Sequence, residues 1–348
     1  MAYYENISLE KGMYNTPGKS FSQVLEELDS SENYRGTPLE GLDAYQRQLK
    51  RFAIKVSGPE SGTVESFFQS SQSAALFPEY VARAVKQGME SGSRVEDLVA
   101  TVTKIDAMDY RSITAEPETE GDTMELKVVS EGAQLPSTKI HTSASLVKLQ
   151  KRGRMLVSTY EALRFQKLDL LTVTLRQIGA YIAGAQVKDA VDVLINGEDG
   201  KSGMTFTKGT PNYGDFIGLW GALAPYELNT VVAGTAAIQK LLQVSEFKDA
   251  QAGMNFQGTG KLCTPLGAKL IHVPGMAADK IVVLDRSCAL EMVQSGDITM
   301  DCDRLIDRQL ERAGISVISG FTRIFKDAAA GLDCSTSSGT GTGETGNQ

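Results

Sequence analysis

An α+β fold is the expectation for this chain, and three stretches carry it. Residues 139 to 158 alternate in polarity for part of their length, with Leu149 between Lys148 and Gln150, as an exposed strand does. From about Leu168 to Asn196 the period becomes that of a helix, too long for an ordinary compact domain. Beyond Gly200, short helical and strand-like segments alternate under frequent Gly and Pro punctuation.

In chain order, residues 1 to 75 offer little that reads as a core. One amphipathic helix, Leu39 to Phe52, sets Leu42, Tyr45, Leu49 and Phe52 on one face, flanked by Pro38, Gly58 and Pro59. The surrounding Ser, Gly, Glu and Asn imply an arm that becomes ordered against a neighbour. A short helix over Pro78 to Gln87 and a strand over Leu98 to Ile105 follow. Residues 111 to 155 then form a long excursion. It has a polar middle (Glu116, Glu118, Glu120, Asp122), a strand over Thr123 to Ser130, a turn from Glu131 to Pro136, and the return strand. Few apolar residues lie on this hairpin, and isolated two-stranded hairpins are marginal in water, so it needs a partner.

In the long helix, Leu171, Leu175, Ile178, Ile182 and Ala185 fall on one stripe, followed by Val187, Val191 and Leu194; Asn196 and Gly197 stop it. At 1.5 Å per residue it spans roughly 40 Å. Gly179 and Gly184 each weaken it by about 1 kcal/mol against Ala, so it needs support from outside. Later elements are a helix over Asp215 to Leu223, a strand over Asn229 to Val232, a helix over Thr235 to Leu242, and strands near Lys269 to Val273 and Lys280 to Leu284. Asp303 to Phe325 is ambiguous: Leu305, Ile306 and Leu310 suit a helix, whereas Ile315, Val317, Ile318, Phe321, Ile324 and Phe325 favour a strand. Residues 335 to 348 are a low-complexity Gly, Ser and Thr tail, expected to be disordered.

Composition bounds the function. A hydrophobic fraction of 41% and a charged fraction of 22% are ordinary for a globular protein. The net charge of -8 excludes a generally basic nucleic-acid binder. No run of about 18 apolar residues or signal-peptide pattern is present, so an intracellular chain without membrane contact is expected. Cys263, Cys288, Cys302 and Cys334 form no C-x-x-C pair, and the two histidines, His141 and His272, are far apart. Neither a disulfide framework, a zinc site nor any other cofactor is expected.

A search for catalytic chemistry is empty. Gly197-Glu198-Asp199-Gly200-Lys201-Ser202 ends like a phosphate loop, but Ile195 stands where the first glycine belongs, and the segment closes a helix instead of opening one. Neither histidine is near a nucleophile in sequence, and acidic pairs such as Glu125 with Glu131, or Asp301 with Asp303, have no spacing that sets them apart from solvated carboxylates. The basic run Lys148, Lys151, Arg152 and Arg154 has no interleaved aromatics, so it reads as facing acidic patches of another copy.

Three segments, in order, resemble the major capsid protein of tailed bacteriophages, the Hong Kong 97-type fold. Asp192-Val193-Leu194-Ile195-Asn196-Gly197-Glu198-Asp199-Gly200 resembles the family's spine-helix ending. Val128-Val129-Ser130-Glu131-Gly132-Ala133-Gln134-Leu135-Pro136 is similar to its extended-loop segment. Leu305 to Asp327 resembles its closing strand, with the run Gly320 to Phe325. The resemblance covers roughly residues 38 to 330.

The resemblance implies an N-terminal arm (1-75), a peripheral domain with the spine helix (76-110, 156-212 and 301-332), an extended loop (111-155), an axial domain (213-300) and a disordered tail (333-348). It resolves Asp303 to Phe325 as a strand. It implies pentamers and hexamers closing an icosahedral shell around double-stranded DNA without sequence-specific binding, in the virion and, during assembly, in the host cytoplasm. A portal protein and a separate scaffold protein are the implied partners, since residues 1 to 75 are too short for a built-in scaffold. Some family members crosslink through a lysine beside the loop proline; here Leu135 precedes Pro136. Inter-subunit contacts are expected at Leu42, Tyr45, Leu49, Phe52, Glu131, Leu135, Pro136, Lys148, Lys151 and Arg152. The alternative is an encapsulin-type protein nanocompartment of the same fold, against which the long segment before Phe77 counts.

Overall fold

The computed structural model describes residues 4–335 apart from 17, 93–94, 118–127, 134, 136, 143–145, 160–164, 199, 201–202, 249–264 and 306–309. In chain order the helices are α1 (Phe21–Leu28), α2 (Ala44–Arg51), α3 (Ser71–Ala74), α4 (Phe77–Ser91), α5 (Leu168–Asn196), α6 (Tyr213–Ala222), α7 (Thr235–Leu241) and α8 (Ser245–Lys248). The strands are β1 (Thr101–Ile105), β2 (Ile113–Pro117), β3 (Thr138–Thr142), β4 (Gln150–Thr159), β5 (Phe206–Lys208), β6 (Thr230–Ala233), β7 (Lys269–His272), β8 (Lys280–Leu284), β9 (Leu290–Leu305), β10 (Leu310–Arg323) and β11 (Ala329–Asp333). They form a four-stranded sheet, β1-β9-β10-β4, a five-stranded sheet, β5-β11-β8-β6-β7, and a two-stranded ribbon, β2-β3. The chain divides into two compact units.

The first unit comprises Met1–Ser93, Lys151–Ala183 and Gly296–Ile318. Its core gathers Phe21, Leu25, Tyr45, Leu49, Phe67, Phe77 and Tyr80 around Leu175, Ile178 and Ile182 of α5. This corrects the reading of residues 1 to 75 as lacking a core: Tyr45 and Leu49 are buried in the chain itself, and Phe52 packs against them. The helix expected over Leu39 to Phe52 is the shorter α2, begun by Asp43, whose side chain accepts from the Gln46 N–H while the Gln46 side chain caps Asp43 in return. Ser20 and Gln23 start α1 in the same way.

A buried polar lock joins these two helices. Arg47 is 0% exposed; its Nε donates to Asp29 Oδ2 at 2.7 Å and its Nη1 to the Leu42 carbonyl at 2.6 Å. Tyr34 donates to Asp29 Oδ1 at 2.6 Å, and its ring lies under the guanidinium with 4.2 Å to the centroid. Burial, then the bond to Asp29 and its charge, push the Tyr34 phenol up to about 12.

The second unit comprises Arg94–Gln150, Gly184–Ser295 and Ser319–Gln348 and is built on the five-stranded sheet. All four residues of β6 are buried, and their alternation serves two cores. Val232, with Val282 and Leu284 of β8, packs on Val187, Val191 and Leu194 of α5. Val231 and Ala233, with Ile281 and Val283, pack with Phe216 and Leu219 of α6 and Ile238 and Leu241 of α7. Gly197, at φ 78, ends α5. The next residue, Glu198, accepts from Arg323 Nη2 at 3.1 Å, so the phosphate-loop look-alike contains a structural turn.

The excursion differs from its expected form. The return strand is two strands: β3 pairs antiparallel with β2, placing Ile113 opposite Thr142 and Glu116 opposite Lys139, whereas β4 belongs to the four-stranded sheet. Of the expected strand Thr123 to Ser130, residues 123–127 lie outside the described residues and 128–130 are not in a strand. Asp303 to Phe325, which the resemblance implies to be one long strand, is divided between the end of β9 and β10, with residues 306–309 outside the described residues. Most of the expected tail, 336–348, also lies outside the described residues.

Candidate inter-subunit surfaces

The structure separates the ten expected contact residues. Tyr45 and Leu49 are buried in the core of the first unit, Leu42 and Phe52 are half-buried, and Arg152 is half-buried on β4. Glu131, Leu135, Lys148 and Lys151 are exposed, and Pro136 lies outside the described residues. The apolar stripe read as waiting for a neighbour is therefore largely satisfied within the chain. The polar and loop residues remain open to a partner.

The β2-β3 ribbon presents the clearest unfilled surface. Ile113 pairs with Thr142, and Ile140 lies two residues back along the same strand, so alternation sets both isoleucines on one face. Ile113 is 62% and Ile140 70% exposed. A two-stranded ribbon with an uncovered apolar face is unstable by itself.

Two helix faces were missed by sequence reasoning. On α6, Tyr213, Ile217 and Trp220 recur at i, i+4 and i+7 along a flank beside the buried Phe216 and Leu219; Trp220, the only tryptophan, is 58% exposed. On α5, Leu170, Val173 and Tyr181 are exposed, away from the buried Leu175, Ile178 and Ile182. The signal was available, because each helix carries apolar residues on two faces where a surface helix needs one.

The first unit also holds a groove of about 920 Å³, lined in part by Phe68, Phe77, Val81, Leu156, Leu171 and Leu175. Among the described residues no group of His, Cys, Asp and Glu could hold a metal ion. No helix among them is long and apolar enough to cross a membrane. His272 Nε2 lies 2.9 Å from the Thr235 hydroxyl, a surface pair at the start of α7.

No family model matches the sequence, and no curated protein does. Similarity is found among solved structures. The capsid structure of the cyanophage P-SCSP1u matches with a TM-score of 0.51 at 14% identity, over 71% of this chain and 89% of that one. The fold is that of Hong Kong 97-type capsid proteins. A virus-like particle from Pyrococcus furiosus matches with a TM-score of 0.48 at 12% identity, over 74% of this chain and 99% of that one. The capsid of an empty GTA particle matches with a TM-score of 0.47 at 18% identity over 70% and 90%. Among the described residues, exposed surfaces include the ribbon, the outer faces of α5 and α6, and the cation-bearing β4 with Lys151 and Arg154.

Proposed function

We propose that this chain is the major capsid protein of a tailed phage, assembling as pentamers and hexamers into an icosahedral shell around double-stranded DNA. The observation that carries the reading is the β2-β3 ribbon, whose isoleucines, Ile113 and Ile140, are largely exposed, on a fold shared with a cyanophage capsid. A ribbon that cannot bury itself gains burial on a neighbouring copy. In this reading residues 111 to 155 are the extended loop, α5 is the spine helix, and residues 213 to 300 form the axial domain. Exposed Glu131, Leu135, Lys148 and Lys151 contact neighbours. The net charge of -8 keeps packaged DNA from adhering to the wall. A portal protein and a separate scaffold protein complete the assembly.

Negative-stain imaging of the purified protein, alone and with its scaffold, tests this directly. Closed particles of uniform size protecting DNA from nuclease support the reading. Particles filled with an enzyme would turn it to the nanocompartment, and a monomer under every condition would overturn both.

A further inference from the structure

Both ends of the excursion at residues 111 to 155 are tied to the body through one buried carboxylate. Glu291, on β9, is 5% exposed and lies in the parallel register of β1, opposite Thr101. Three hydroxyls converge on it from the outgoing chain. Thr103 donates to Oε1 at 2.5 Å, Tyr110 donates to the same oxygen at 2.8 Å, and Ser112 donates to Oε2. The return chain closes on the same point, because the N–H of buried Val147 donates to the Tyr110 carbonyl at 2.9 Å. Gly320 leaves room there: a Cβ on it would lie 2.8 Å from the Lys148 carbonyl oxygen and 3.0 Å from Val147.

A carboxylate removed from water needs hydrogen bonds to offset its lost solvation, and here nearby hydroxyls supply them. Burial, and then donation to Glu291, raise the Tyr110 phenol above its ordinary value, so it remains a protonated donor. Immediately beyond this point the support ends. Ser112 is 2% exposed and its neighbour Ile113 is 62% exposed.

We propose that Glu291 is the positioning residue of the excursion: by gathering Thr103, Tyr110 and Ser112 it fixes the direction in which the β2-β3 ribbon leaves the second unit, and so governs whether a second copy can receive it. The inference rests on the shell-subunit reading. A strut that merely stabilised the sheet would lower stability throughout the unit. A positioning residue loosens the root and spares the sheet.

The test uses the full chain with Glu291→Gln and, separately, the double variant Tyr110→Phe with Ser112→Ala, which keeps the carboxylate. Hydrogen exchange is followed in the unassembled protein at residues 110–112 and 147, with β6 as the internal reference, and particle yield is measured by sizing chromatography. The expected result is at least tenfold faster exchange at the root with β6 unchanged, together with at least tenfold fewer particles. Unchanged exchange at the root overturns the proposal. So does a wild-type particle yield from a loosened root, and so does loss of protection in β6 in both variants. Should the wild-type chain form no particles, the shell reading fails by itself, and the exchange comparison alone decides the role of Glu291.

Discussion

Gly88 of α4 and Gly179 of α5 meet one helix contact from opposite sides: a Cβ on Gly88 would lie 2.0 Å from the Arg176 carbonyl oxygen, and one on Gly179 2.0 Å from that of Val85. The two backbones touch because both residues lack a side chain. The support that the long helix needs is therefore α4, pressed against it where a glycine weakens it. Gly184, five residues further along, faces open space.

These glycines give opposite predictions for the same substitution. Gly88→Ala or Gly179→Ala forces the helices apart and destabilises by about 1–3 kcal/mol or more. Gly184→Ala relieves a helix-interior glycine and stabilises by about 0.5–1 kcal/mol. Urea unfolding of the three variants checks both signs.

The buried position of Leu49 reverses an expectation drawn from its sequence. It is 6% exposed in the core of the first unit, so Leu49→Ala lowers the stability of the isolated subunit by about 2–5 kcal/mol. The measurement is the melting temperature of unassembled protein. An unchanged value would return α2 to the role of an arm.

That reversal shows where the sequence was legible. The helix α5 could be read to its last residue because its apolar stripe is long and Gly197 closes it, and β6 and β8 because each is a short apolar run between turn residues. The N-terminal lobe could not, since its centre is the Arg47, Asp29 and Tyr34 cluster, and a fully buried arginine reads as solvent-facing in any hydropathy pattern. Helix α1 spans only two turns, too short for a period to emerge, although the pairing of Ser20 with Gln23 marked its start. The excursion was readable as a hairpin but not in its pairing. Thr138–Thr142 and Gln150–Thr159 look like one strand until two different sheets claim them. Of the candidate surfaces, an excursion in need of a partner was expected, but not the face of Ile113 and Ile140; the outer faces of α5 and α6 were missed, because a residue such as Trp220 is assigned to a core by default.

The pair of Glu198 with Arg323 makes a prediction in pH. Burial pushes the Glu198 carboxyl up, but hydrogen bonds from the Arg323 side chain and backbone N–H, with the guanidinium charge, hold it below the ordinary 4.5. A depressed carboxylate adds stability that is present above its unfolded value and is lost as pH falls through the lower folded value. Arg323 is nearly buried, so Glu198→Gln weakens a charge-assisted pair and costs about 1–3 kcal/mol at neutral pH. The difference between wild type and variant in urea unfolding narrows below pH 4.5. A gap that stayed constant through acid would remove the ionic contribution.

The exposed cation Lys151 lies on β4, an edge strand of the four-stranded sheet, and the proposed shell sets it against acidic groups of a neighbour. One exposed pair contributes only about 0–1 kcal/mol, but a closed shell repeats it on every subunit. Reversing the exposed Lys151 and Arg154 to Glu is expected to leave a soluble, folded subunit that fails to close shells. Raised salt is expected to weaken wild-type assembly intermediates by screening. Normal particles from the reversal variant, imaged at the wild-type concentration, would exclude this contact.

The ribbon gives the most direct test of the shell-subunit reading. Ile113 and Ile140 share one face of β2-β3, and neither belongs to a core cluster among the described residues. Replacing both by Ser therefore removes little burial from the isolated subunit, and its melting temperature should stay within about 1 °C of wild type, the shift expected for a surface change well under 0.5 kcal/mol. In the proposed shell the same two side chains would become buried, each stabilising the contact by roughly 1.5–3 kcal/mol. In the proposed shell every subunit would offer one ribbon and receive another, so the loss would multiply around each ring, and closure should fail while the soluble protein is untouched. The measurement is paired: thermal unfolding of the unassembled double variant, and sizing chromatography of an assembly reaction at wild-type concentration. A lowered melting temperature would show that the ribbon already packs within its own chain. Full particle yield at an unchanged melting temperature would show that neighbours do not use this face, and would leave the outer faces of α5 and α6 to carry the contact.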